Sequence, residues 1–340
     1  MNTPLQHPDF GNGLTNHEPM VVSALKELGA STIHIARYQA MMAEKIRWVD
    51  AQAIAIENDN DLKSWLGKTQ NYAGLHAYME SQQQRLGNRS LVNRYVPMLA
   101  SGITGGALHP VIRLGHAVHD ENDGEILAGL AYWAWAYQSL PFPQADTGTG
   151  ADVSLATVIE HLVDEVDWPT ERINRPTITE EFAVLTALPA YQHLRFKKAT
   201  TALSFDALRT MAISALWMHD DFTLLHGVTG MLAAERVSQW LDDKTLLLQP
   251  MWKALVVAWL SKGLRWKTMP ATNSTPVLSL TQLKTLAAHG TRDHTVKLVA
   301  ACLAYYQQTK NQLFWLVAER EVMNDAQLQP MIGNLQAEVL

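Results

Sequence analysis

Apolar residues recur at helical spacing through almost the whole chain, while alternating β-branched runs bounded by turn dipeptides are scarce. A helix with one apolar stripe must bury that stripe against another element, and here nearly every element available is another helix. The pattern therefore predicts an all-α fold, a single large multi-helix domain with layered helices. In 19–30, Met20, Val21, Ala24, Leu25 and Leu28 share one face. Asn16 or Thr15 can cap that helix, Pro19 suits its first turn and Gly29 can end it. The same period predicts helices over 32–46, 58–66, 71–86, 90–102, 107–119, 124–140, 154–166, 179–194, 205–219, 221–241, 246–263, 280–290 and 293–321.

The 340 residues suffice for one large domain or two ordinary ones, and with 47% apolar and 18% charged residues a sizeable core can be buried. The net charge of −6 argues against a nucleic-acid binder. Cys302 is the single cysteine, so neither an intrachain disulfide nor a multi-thiolate metal site can form; in 298-LVAACLAYY-306 it reads as a buried small hydrophobe. The N-terminal residues lack the basic and apolar regions of a signal peptide, and no apolar run approaches the ~20 residues of a membrane span, so a soluble, cytoplasmic setting is expected. Segments 141–152 and 268–276 combine proline with small polar residues and read as loops or lids. Histidine-bearing segments lie on both sides of the first loop, which favours a single domain over 1–340.

The chemistry-bearing residues are among 13 histidines. Imidazole is the commonest protein ligand for a transition metal. His109 follows a glycine-rich turn at Gly105–Gly106, and Pro110 beside it marks a helix start. His116 is two helical turns further on, a rise of about 10.5 Å, so the two reach one ion only by leaning together. His116 stays open between a ligand and a core histidine bonded to a backbone carbonyl; His119 reads as a surface or core histidine. His226 lies in an apolar helix with Thr229 and Gly230 on its face, leaving room for an ion, a ligand or a close helix crossing. His294 and Lys297 share one side of a helix that Asp293 can cap. Lys297 is either snorkelling or held by a partner. His17 precedes a helix and carries the weakest signal of its own.

Other signatures fail. Gly67-Lys68-Thr69 resembles the end of a P-loop, but Leu62 stands where glycine is required and no strand precedes it. There is no dinucleotide fingerprint, GxSxG elbow, HExxH pair or ExxH pair. The stripe 132-YWAWAY-137 reads as core packing, with Trp133, Trp135 or Tyr137 as a pocket wall in the alternative.

Four segments in order, 16-NHEPMVVSALKELGA-30, 109-HPVIRLGHAVH-119 with 130-LAYWAWAY-137, 224-LLHGVTGMLAAERV-237 and 293-DHTVKLVAAC-302, together resemble the questin oxidase-like family and span nearly the whole chain. The resemblance implies a helical fold with a non-haem iron centre, and an oxygenase that opens or oxidises a planar aromatic or quinone ring with dioxygen. Carried over, the metal ligands are His17, His109, His116, His226, His294 and Lys297, the last as a carboxylated lysine, with His109, His226 and Lys297 closest to the chemistry. This set has one member too many if a position stays open for oxygen, so His116 or His294 orients a neighbour instead. Zinc or manganese is compatible with the same donors. Two other readings stand beside it: a Baeyer–Villiger-type monooxygenase drawing on NADPH, and a non-enzymatic helical scaffold or ligand-binding protein. The expected partners are a small aromatic substrate and dioxygen, with no nucleic acid and no membrane.

Overall fold

A computed structural model describes residues 4–11, 13–49, 52–142, 145–146, 155–164, 173–194, 196–197, 203–264 and 275–337. Most of both expected loop segments, 141–152 and 268–276, lies outside the described residues. Among the described residues the fold is all-α. The helices are α1 (Glu18–Leu28), α2 (Thr32–Ala43), α3 (Asp59–Trp65), α4 (Tyr72–Leu86), α5 (Asn88–Leu99), α6 (His109–His119), α7 (Asp123–Trp135), α8 (Leu155–Asp164) and α9 (Ile178–Ala187). They continue with α10 (Pro189–His193), α11 (Phe205–His219), α12 (Phe222–Trp240), α13 (Leu248–Leu260), α14 (Leu280–Ala287), α15 (Asp293–Thr309), α16 (Gln312–Asn324) and α17 (Gln329–Ala337). The described β-structure amounts to β1 (Ala145–Asp146) paired in parallel with β2 (Phe196–Lys197), and isolated bridges. No described helix is long and apolar enough to cross a membrane.

Local chemistry sets the boundaries. Asn16 accepts a bond from the Glu18 N–H at the start of α1, and Gly29 closes that helix at a left-handed φ of 79°. The helix expected over 179–194 is two, because Pro189 lacks the N–H that would continue α9 and opens α10 instead. The expected 293–321 helix is also two: Lys310 turns left-handed at φ 58° and Asn311 caps α16. Helix α17 carries too short an apolar pattern to have been read from sequence.

The chain divides into two compact units, residues 1–5 with 49–268 and residues 6–48 with 269–340. In the first, α6 packs along α12 and α7, α4 and α5 pack on α7, and α11 and α13 pack on α12. The approach of α6 to α12 depends on Gly115. A Cβ there would lie 2.4 Å from both Cα and Cβ of Ala233, inside any real contact. The core here includes Val111, Leu114, Leu130, Trp133, Met231 and Trp259. In the second unit α1 packs against α2, α14 and α15, and α15 packs against α14 and α16 around Met20, Leu25, Val299, Cys302 and Phe314.

Candidate functional site

In the first unit the structure brings His109 and His226 together. Their rings meet edge to face with centroids 4.7 Å apart, and both are buried. Nδ1 of His109 is 2.7 Å from the Gly106 carbonyl, and Nδ1 of His226 is 2.8 Å from the Phe222 carbonyl. A carbonyl oxygen only accepts, so in each ring Nδ1–H is the donor and the lone pair of the neutral imidazole is on Nε2. This is the tautomer of a metal-bound histidine whose far nitrogen is held by backbone. Exposed His193 and His289 bond the carbonyl four residues back as His226 does, and His109 bonds the one three residues back, so such a bond alone marks nothing. Burial and ring pairing set His109 and His226 apart. His116 is buried two turns further along α6, whereas His119 is exposed.

The start of α6 has an unusual lead-in. Gly106, Ala107 and Leu108 are consecutively left-handed, at φ 54°, 54° and 70°. The helix expected over 107–119 therefore begins at His109, as Pro110 suggested.

Arg113, one turn beyond His109, was not singled out by sequence. It is buried and donates from Nε and Nη2 to the two carboxylate oxygens of Glu125 on α7, at 2.8 and 3.0 Å. Burial works against its charge, but the Glu125 carboxylate outweighs that and keeps the guanidinium protonated above its ordinary range. Burial also lowers His76 to about 4, with the Arg113 charge acting in the same direction. The 132–137 stripe is mainly packing: Trp133 is fully buried, Trp135 donates from Nε1 to the Thr69 carbonyl, and the Tyr137 and Ser101 hydroxyls share a hydrogen bond.

The second unit brings together His17, His294 and Lys297. His17, just ahead of α1, meets His294 edge to face at 4.6 Å. Its Nδ1 lies 3.4 Å from Nζ of Lys297 and 3.4 Å from Oδ2 of Asp293. Lys297 is only 2% exposed, and burial lowers its amine to about 7, with Asp293 opposing the shift. A lysine near that value is partly neutral at physiological pH and nucleophilic. One ring nitrogen of His17 thus faces both a donor and an acceptor, which couples its proton to the state of Lys297.

Asp293 does not cap α15. It is the first helical residue, after Arg292, and its carboxylate accepts a 2.8 Å bond from the Tyr38 hydroxyl. Burial, then Asp293, push the Tyr38 phenol well above its usual range. Asp293 and Tyr38 were missed as site residues because a capping aspartate and a helical tyrosine look ordinary in sequence.

The polar atoms that these residues offer are nitrogen and oxygen. Cys302 is fully buried, and burial pushes its thiol up, away from the thiolate a metal would need. Imidazoles with a carboxylate suit iron, zinc or manganese better than a soft-metal centre.

A family model described as Questin oxidase-like matches residues 14–302. No curated protein matches the chain at a significant level. The family description carries an oxygenase-type, oxidoreductase activity at the level of the family.

Proposed function

The chain belongs to the Questin oxidase-like family, and from that premise we propose that it is a metal-dependent oxygenase, with non-haem iron, acting with dioxygen on a planar aromatic or quinone-type substrate. The proposed donors are His17, His109, His116, His226, His294 and Lys297. The proposal takes 1–340 as one functional domain, since the family match over 14–302 runs through segments of both units.

The observation that carries the reading is the matched state of two buried histidines. His109 and His226 both commit Nδ1 to a backbone carbonyl and keep the Nε2 lone pair. Exposed histidines of this chain hold the same tautomer, so it is the burial and the 4.7 Å ring pairing of these two that give it weight. Iron would supply the redox chemistry that ground-state dioxygen needs in order to react with a closed-shell aromatic ring.

The protein's own groups do the rest. The Gly106 and Phe222 carbonyls orient the two rings. Asp293 can hold a proton at Nδ1 of His17, and Tyr38 holds Asp293 in place. The Lys297 amine, largely desolvated and lowered to about 7, is suited in its neutral form to add to carbon dioxide; the new N–C bond and the loss of one N–H proton to solvent would leave a carbamate, a carboxylate-like oxygen donor.

The test is dioxygen uptake by Fe(II)-loaded protein across hydroxylated anthraquinones and smaller quinones, with ¹⁸O₂ to follow the label into product. Uptake coupled to labelled product supports the reading. No coupled uptake with any planar substrate, from protein loaded with iron, removes it.

A further inference from the structure

Three consecutive left-handed residues, two of them not glycine, immediately precede His109. Ala107 at φ 54° and Leu108 at φ 70° are both buried. Left-handed backbone is unfavourable for residues with a Cβ and persists only where the surroundings over-determine it. Those surroundings are identifiable. A Cβ on Gly106 would meet the Tyr132 hydroxyl at 2.8 Å and Pro110 Cδ at 3.2 Å, so the turn is pressed onto α7 and onto the first turn of α6. Leu108 lies over Gly230 of α12, where an added Cβ would come within 3.1 Å of it. Gly230 is one turn beyond His226.

The turn also has a direct output. Its first residue supplies the carbonyl that accepts from Nδ1 of His109. The same carbonyl also accepts the backbone N–H of His109, so the turn presents one oxygen to both the main chain and the ring of that residue.

We propose that the left-handed turn Gly106–Ala107–Leu108 is a positioning element for His109. It holds the Gly106 carbonyl against Nδ1 and so fixes the imidazole, before any metal arrives, in the tautomer that presents Nε2. Ala107 and Leu108 are positioning residues, and their strained backbone keeps the acceptor from wandering. This rests on the reading of His109 as a metal donor.

The experiment separates the two ideas. Metal-free protein labelled with ¹⁵N-histidine is examined by NMR near pH 8, the His109 signals being identified by their absence in His109→Gln. Fe(II) and Zn(II) affinities are measured on the same samples. Ala107→Gly removes the strain but frees the backbone. It should melt at or above the wild-type temperature, yet show mixed His109 tautomers and about tenfold weaker metal binding. Gly106→Ala, which displaces the accepting carbonyl, should show the same mixed tautomers at a lower melting temperature. A single Nδ1–H tautomer with unchanged affinity in both variants would overturn the proposal, leaving the turn as packing. Wild-type metal affinity in His109→Gln would instead overturn the metal reading, and the tautomers of the metal-free protein would still decide what the turn does.

Discussion

The Lys297 amine lies 3.4 Å from Nδ1 of His17, with only 2% of the lysine exposed. A lysine ammonium ordinarily keeps its head in water, and this one is held beside a ring nitrogen that it shares with the Asp293 carboxylate. Buried in this way, a lysine is a candidate for modification. Protein equilibrated with ¹³C-bicarbonate should show a carbamate carbon that is absent from Lys297→Met, and iron content in that variant should fall at least severalfold. Identical ¹³C spectra from the two proteins would remove the carbamate from the account.

Acid should weaken the fold partly through His76. Its folded-state value is about 4, below the ordinary 6.5. Above 6.5 both folded and unfolded forms are neutral there, and the contribution is fully present. As pH falls from 6.5 through about 4, the unfolded chain binds a proton that the folded one refuses, so stability is lost. Thermal unfolding of His76→Gln should show a shallower decline over that window than wild type; parallel curves would contradict this.

The Arg113–Glu125 pair should break asymmetrically. Glu125→Ala leaves a buried guanidinium without its bidentate acceptor and should cost about 3 kcal/mol, toward the lower end for a buried pair because Glu125 is 29% exposed. The double variant Arg113→Met, Glu125→Leu should recover most of that loss. Chemical denaturation checks both, and a double variant no more stable than the single one would show that the pair contributes more than mutual compensation.

Gly115→Ala should force α6 away from α12, because the new methyl would lie 2.4 Å from the Ala233 backbone. A loss of about 2 kcal/mol is expected from overpacking. The His109–His226 ring pair lies between the same two helices, so metal binding should weaken as well. Wild-type stability would mean the crossing is more compliant than its geometry implies.

Much of this was legible in the sequence because helical periodicity survives wherever one face is buried. The start of α6 followed from Pro110, while α1 begins after His17 rather than at a capping Asn16 or Thr15, and the histidines proposed as donors stood out by setting and by family resemblance. Other features depend on partners distant in sequence. Tyr38 gains its meaning from Asp293, 255 residues away, and Arg113 from a carboxylate on the next helix. The breaks at Pro189 and Lys310 were passed over because the apolar period continues across both. The left-handed run at Ala107 and Leu108 had no signal at all, since neither residue favours that conformation and only packing imposes it.

The most direct test is metal analysis of protein purified without a histidine tag, with iron, zinc and manganese counted per chain for wild type, His109→Ala, His226→Ala and His294→Ala. Bound iron is expected in the wild type after anaerobic reconstitution, and is expected to be lost in His109→Ala and His226→Ala while both remain folded. Full iron content in those two variants, or a wild type that takes up no metal, would contradict the proposed metal site.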